Sequence, residues 1–361
     1  MVMCKKLAIT GFMISGIFFF TIVTAQLKPA EADSFLHFIQ ANKNKAAVFI
    51  SNNDTIIAAL NENKLMPLAS TVKLMVAVEF AKQAGKNIID PEALVALSEL
   101  DKYYLPNTDG GAHTDWLTQE QKNNNIKNDS ISLLNVARGM MRFSSNANAE
   151  YLMDLLGFDN VKNNIQLFGL KQHTVIFPMV ASLLMYQNPR KLPETKVLKA
   201  IGKLPEEAYC KYIFMLHNQL KYSSRLKASF QLQAFSQSMQ QMWSNRLPSA
   251  TAKEYVQLVK ILNDRKFLDD ATYAILAEIV EYPMEDARFQ KIFKHYGVKG
   301  GSTQFVLTHT LYFTTKQNSK MELAIFFNDL TMAEKKQLEN WLDPFEAQVI
   351  FDKAFRRQLL F

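Results

Sequence analysis

Strand-like sequence lies at the two ends of this 361-residue chain, and nearly everything between them reads as helix. Near the start, "AAVFISNNDTIIAALNEN" reads as two strands joined by a turn at Asn52-Asn53-Asp54. Near the end, "GSTQFVLTHTLYFTT" and "KMELAIFFNDL" alternate as strands, with "TTKQNSK" between them. From Met66 to about Gln290 the pattern is helical, interrupted by polar loops. The longest loop, "LPNTDGGAHTDWLTQEQKNNNIKNDS", ends at a helix-cap signal, Asp129-Ser130. Phe35, Leu36, Phe38 and Ile39 sit at helical spacing before the first strand, and an amphipathic helix from about Met332 to Arg357 closes the chain. This order predicts an α/β (α+β) fold. An antiparallel sheet built from both chain ends is flanked by helices and carries an inserted all-helical domain. The expected parts are an α/β lobe from 26–65 and 291–361, and a helical lobe from 66–290. A cleft between two such lobes is a common place for a site.

The chain is 48% hydrophobic, enough for a substantial core. It opens with "MVMCKKLAITGFMISGIFFFTIVTAQ", where Lys5 and Lys6 precede an apolar run and Val23-Thr24-Ala25 resembles a cleavage site. Residues 1–25 are read as a signal peptide, with retention as an anchor the alternative. The protein is thus expected to be exported, periplasmic or secreted, with no stable membrane association once the signal is cleaved. Cys210 would then be the remaining cysteine, so no disulfide could form within the chain. The net charge is +7, and the excess reads as scattered among acidic residues. Nothing in the pattern suggests a nucleic-acid partner.

One lysine stands out. In "KLMPLASTVKLMVAVEFAKQ", Lys73 sits in an apolar run that reads as a buried helix, three residues after Ser70. A buried lysine is costly unless it has a partner and a task. Residues at i and i+3 share a helix face, so the Lys73 ammonium is expected to reach the Ser70 hydroxyl. Burial lowers a lysine's pKa and makes its amine available as a base. The helix start supplies backbone N–H groups for a developing oxyanion. A second Ser-x-x-Lys, Ser224-Arg225-Leu226-Lys227, lies in a polar stretch and reads as chance. Ser144-Ser145-Asn146 stands at a helix start, and Lys299-Gly300-Gly301-Ser302 at a strand start.

Ser-x-x-Lys, Ser-Ser-Asn and Lys-Gly-Gly, in that order, resemble the signature of penicillin-recognising serine hydrolases. The wording "PLASTVK" and "SSNANAEYLMDLLG" is most similar to class A β-lactamases and their relatives, over roughly residues 30 to 360. The resemblance implies a β-lactamase/transpeptidase-like fold and a serine hydrolase working without metal or cofactor on a small-molecule or peptide substrate. Ser70 would be the acylated nucleophile and Lys73 its base. Ser144 would pass a proton to the leaving nitrogen, helped by Lys299. Asn146 would bind the substrate amide, Ser70 and Ser302 would form the oxyanion hole beside Gly301, and Tyr104 would stand at the cleft rim.

Three departures stand against that pattern. The region "KQHTVIFPMVASLLMYQNPRK" has no glutamate where class A enzymes carry their deacylation base. Ser145 replaces the usual aspartate of the second motif, and Gly300 replaces a hydroxyl that would meet a substrate carboxylate. Glu150, four residues after Asn146 on the same helix face, is the expected substitute base. β-Lactam hydrolysis is the leading activity. A peptidase or esterase on the same scaffold, or a ligand-binding relative deficient in turnover, are the alternatives.

Overall fold

The two chain ends meet in one five-stranded antiparallel sheet. The structure, a computed structural model, describes residues 28–361. The predicted signal segment therefore lies outside the described residues. The strands are β1 (Ala46–Asn52), β2 (Thr55–Leu60), β3 (Phe293–Ser302), β4 (Leu307–Thr315) and β5 (Lys320–Phe327), in spatial order β2-β1-β5-β4-β3. Asn53 and Asp54 take φ of 48° and 63° between the paired residues Asn52 and Thr55. Two positive-φ residues in a two-residue loop match the right-handed twist of a hairpin, and Asn and Asp tolerate them best.

The sheet is buried on both faces. Along β1, Ala47 and Phe49 point into one apolar cluster, while Ala46, Val48 and Ile50 point into the other. The same period of two divides β5, with Ala324 and Phe326 on the first side and Leu323, Ile325 and Phe327 on the second. The second side is covered by α1 (Pro29–Ala41) and α6 (Met332–Phe351), which pack on each other. Helix 252–264 crosses the first side, and behind it lies a helical lobe around α2 (Lys73–Gly85).

Several elements differ from the sequence expectation. The expected strand "GSTQFVLTHTLYFTT" is divided at Thr303, whose hydroxyl accepts from the N–H groups of Phe305 (3.1 Å) and Val306 (3.2 Å). Its first residues belong to β3, which begins at Phe293 and was hidden by the glycines of "HYGVKGG". Gly297 is required there, because a Cβ would lie 2.3 Å from the Tyr312 ring. The helical lobe contains two short ribbons, Leu94–Ala96 with Ser130–Ser132 and Met66–Pro67 with Ser249–Ala250. Ser130 consequently pairs in a strand, and Ser132 caps the following helix Leu133–Arg142. The closing helix stops at Phe351, and Asp352 caps a separate turn, Lys353–Arg356.

Three further helices matter to the site. They are α3 (Asn146–Leu156), α4 (Met179–Leu183) and α5 (Glu206–Tyr222). The last two belong to an added layer with its own small core, including Tyr186, Tyr209, Ile213 and Phe235. Among the described residues no helix is long and apolar enough to cross a membrane.

The junction of the two chain ends is open to test at Phe35. Its ring is fully buried between Phe345 (centroids 4.5 Å apart) and Phe327 (5.6 Å). Phe35→Ala is expected to lower stability by about 3–5 kcal/mol in urea unfolding. A loss below about 1 kcal/mol would show that α1 lies outside the cooperative core.

Candidate active site

Ser70 lies in the 3₁₀ turn Ala69–Val72 that feeds directly into α2. Ala69, just before it, has φ of 45°, a conformation rare for a residue with a side chain. The turn is held against the sheet edge by Thr308 on β4. Its Oγ1 lies within hydrogen-bonding distance of the Leu68 (2.8 Å) and Gly301 (3.1 Å) carbonyls, to which its one O–H can donate, and shares a hydrogen bond with the Thr71 hydroxyl (2.8 Å). Gly301 lets β3 come this close, since a Cβ there would lie 2.6 Å from both Leu68 O and Ser70 N.

Lys73 is the first residue of α2 and is fully buried. Its Nζ donates to Ser144 O (2.5 Å), Asn146 Oδ1 (2.7 Å) and, more weakly, Ser144 Oγ (3.3 Å). The expected hydrogen bond to Ser70 is not among those of the described residues; the amine is turned toward the second motif instead. Lys299 on β3 donates to the same Ser144 Oγ at 3.0 Å. Ser144 has φ of 69°, another left-handed residue at the site. Ser145 caps α3 by accepting from Asn148 N (3.2 Å), and its Oγ lies 2.9 Å from His113 Nδ1. That hydroxyl is committed to the scaffold.

Burial lowers the Lys73 pKa to about 7, although the charges of Asp109 and Glu150 pull it partly back. Burial also holds Lys299 well below the ordinary lysine range, and the Lys73 charge pushes it further down. Two amines that meet on one hydroxyl oxygen thus hold a proton poorly near neutrality.

Ser70, Ser144, Asn146, Lys299, Gly301 and Ser302 line one cleft, with Lys73 beneath its floor. Tyr104 is not among the lining residues; its ring packs on His113 with centroids 4.8 Å apart. Glu150 does not line the cleft either. Its Oε1 accepts from the N–H groups of Val180 and Ala181 at the start of α4, and its Oε2 faces His217 Nδ1 at 3.1 Å. Burial would lower the His217 pKa, but the Asp154 and Glu150 carboxylates raise it to about 9. Glu150 therefore ties α3 to α4 and α5, and its lone pairs are taken by the scaffold. The Ser224 of the second Ser-x-x-Lys is exposed, and Lys227 donates to the Asp101 carbonyl, away from any serine hydroxyl.

Two residues of the cleft lie outside the expected set of site residues. Asp109 Oδ2 accepts from Asn146 N (3.3 Å) and His113 N (3.2 Å), so the "LPNTDGGAH" loop orients the second motif. His309 faces Gly300 across the β3–β4 pair and is hydrogen-bonded through Nδ1 to buried Glu346. A Cβ at Gly300 would lie 3.2 Å from the His309 ring, so the imidazole occupies the space beside the missing hydroxyl.

The sequence pattern of the Beta-lactamase enzyme family matches residues 32–342. The chain belongs to that family. Membership makes it a serine hydrolase of the β-lactamase type. Solved structures share the β-lactamase/transpeptidase fold. The β-lactamase of Sphaerobacter thermophilus DSM 20745 is similar at 14% identity and a TM-score of 0.54, covering 90% of this chain and 97% of its own. A β-lactamase from Chitinophaga pinensis DSM 2588 is similar at 15% identity and 0.53, covering 90% and 99%. A mutant of PBP-A, solved as an acyl-enzyme complex with penicillin G, is similar at 13% and 0.51, covering 90% and 97%. No curated protein matches the chain.

The close approach of β3 to the serine turn yields a sharp test. Gly301→Ala should force the two backbones apart and cut labelling of the protein by a fluorescent penicillin by at least about a hundredfold, the scale of a lost oxyanion donor. Circular dichroism would confirm that the variant folds. Labelling at the parent rate would contradict the contact.

Proposed function

We propose that the protein is an exported serine hydrolase that opens β-lactam amides through an acyl-enzyme on Ser70. The observation that carries the reading is the meeting of Lys73 and Lys299 on Ser144 Oγ, in the cleft that exposes Ser70. A neutral Lys73 takes the Ser70 proton as Oγ attacks the carbonyl. The backbone N–H groups of Ser70 and Ser302 hold the oxyanion. As the C–N bond breaks, the nitrogen takes the Ser144 proton, and the lysine pair resupplies it. Asn146 positions the amide side of the substrate. Apo sites often hold catalytic hydrogen bonds that tighten only with substrate, which is consistent with Lys73 resting on Ser144.

Deacylation is slow on this reading. Among the described residues, the carboxylates lining the cleft are Asp109 and Glu339. Asp109 receives two backbone N–H groups, and Glu339 pairs with Lys335 at 2.6 Å. With Glu150 also committed, the lack of a glutamate in residues 171–191 favours slow turnover over rapid hydrolysis, and Asp109 Oδ1, buried and without a hydrogen-bond partner among the described residues, is the cleft carboxylate oxygen left to meet a water.

Intact-protein mass spectrometry with penicillin G tests both halves. The expected result is one covalent adduct that outlasts removal of free drug and is absent in Ser70→Ala. An adduct that survives in Ser70→Ala would remove Ser70 as the nucleophile. Fast loss of the parent adduct would show that a hydrolytic base is present.

The proton acceptor predicts a pH dependence. A base must be neutral to act, so acylation should rise with pH and level off above a midpoint of about 7. Measured as the second-order labelling rate, a profile flat between acid and neutral pH would count against Lys73.

A further inference from the structure

The positive charge of this protein is concentrated in one layer of the fold, contrary to the scattered excess that the sequence suggested. Residues 189–246 carry ten Lys/Arg and three Glu, a net charge of +7, which equals the net charge of the whole chain. Seven of the ten cations are exposed, and none of the seven makes an ion pair among the described residues. The others are used within the fold. Lys221 pairs with Asp154 (2.9 Å), Lys227 meets the Asp101 carbonyl, and Arg246 lies over the Tyr209 ring (3.9 Å). The three glutamates, Glu194, Glu206 and Glu207, sit at helix starts, where the helix dipole accounts for them.

Helix α5 gives this layer a second property. Its inner face, Tyr209, Ile213, His217 and Leu220, is buried. Its outer face, at the complementary spacing, carries Lys211, Tyr212, Met215 and Tyr222. Tyr212 and Met215 are each 47% exposed and Tyr222 is 82% exposed. Beyond the helix end, an open groove brings Met215 and Tyr222 together with Pro189 and Arg225. Apolar and aromatic side chains gain from leaving water, and cations gain from fixed negative charge. A soluble polyanion satisfies the second demand alone. An anionic lipid interface satisfies both, by taking the rings and thioether among the headgroups while phosphates meet the lysines and arginines.

We propose that the outer face of α5, with the groove at its end, docks the protein reversibly on an anionic lipid surface. Reversible docking agrees with the expectation of no stable membrane association, and it needs no spanning helix. Trp243 and Leu247, from the end of the same layer and just beyond it, line the catalytic cleft.

The experiment is co-sedimentation of the mature protein with vesicles of phosphatidylcholine, with and without phosphatidylglycerol. Two surface variants accompany it, Lys211→Glu/Arg225→Glu and Met215→Ser/Tyr222→Ser. All four positions are exposed, and thermal unfolding would show that the variants fold as the parent does. The expected result is binding that requires phosphatidylglycerol and weakens in high salt. The charge-reversal pair should reduce partitioning by about tenfold or more, and the apolar pair should reduce it severalfold. Absence of phosphatidylglycerol-dependent binding would overturn the proposal, as would parental binding by the charge-reversal pair. Parental binding by the apolar pair would overturn the lipid reading and leave a simple polyanion site, which inorganic polyphosphate would then compete for.

Discussion

Two buried amines that share one hydroxyl oxygen set the terms for the rest of the structure. Lys73 and Lys299 come from opposite lobes, one from the start of α2 and one from β3, and they converge on Ser144 at the start of α3. Placing either ammonium in a dry interior costs several kcal/mol unless it is neutralised or well paired. The fold meets that cost in two ways. The Ser144 carbonyl and the Asn146 amide oxygen accept from Lys73, and both lysines shift toward the neutral form. A site that resists protonation near neutrality is also a site that can take a proton from a hydroxyl.

The backbone around that pair is shaped to bring the lobes into register. Ala69 and Ser144 both hold left-handed conformations. Gly301 removes the Cβ that would hold β3 away from the Ser70 turn. Thr308 ties together the carbonyls of Leu68 and Gly301. Such local strain persists where the surrounding packing over-determines the conformation. Here the double-faced burial of the sheet supplies that packing.

Much of this was legible in the sequence, and the reasons differ from place to place. The burial of Lys73 at the start of α2 was legible because a lysine in a fully apolar helical run is rare on physical grounds. The β1–β2 hairpin was legible because Asn-Asp satisfies its turn. The start of β3 was not, because glycines needed for close approach to Tyr312 and to the Ser70 turn erase the strand pattern. The commitments of Glu150 were invisible as well. Helical spacing placed it on the face of Asn146, but its partners, the N–H groups of α4 and the imidazole of His217, come from segments far along the chain. Asp109 escaped notice for a related reason, since a loop aspartate has no periodicity to betray its contacts. The charge of the added layer was readable by counting, but which of its cations are exposed and unpaired required the fold.

The central claim is that burial lowers the Lys73 pKa to about 7, so that a substantial share of the amine is neutral at neutral pH in the resting protein. Carbon-13 NMR of protein labelled at the lysine Cε measures this directly, with the resonance assigned by its absence in Lys73→Met. The account predicts a Lys73 signal that titrates with a midpoint of about 7. A Lys73 resonance that stays in the ammonium position up to the ordinary lysine range, near pH 10.5, would contradict it.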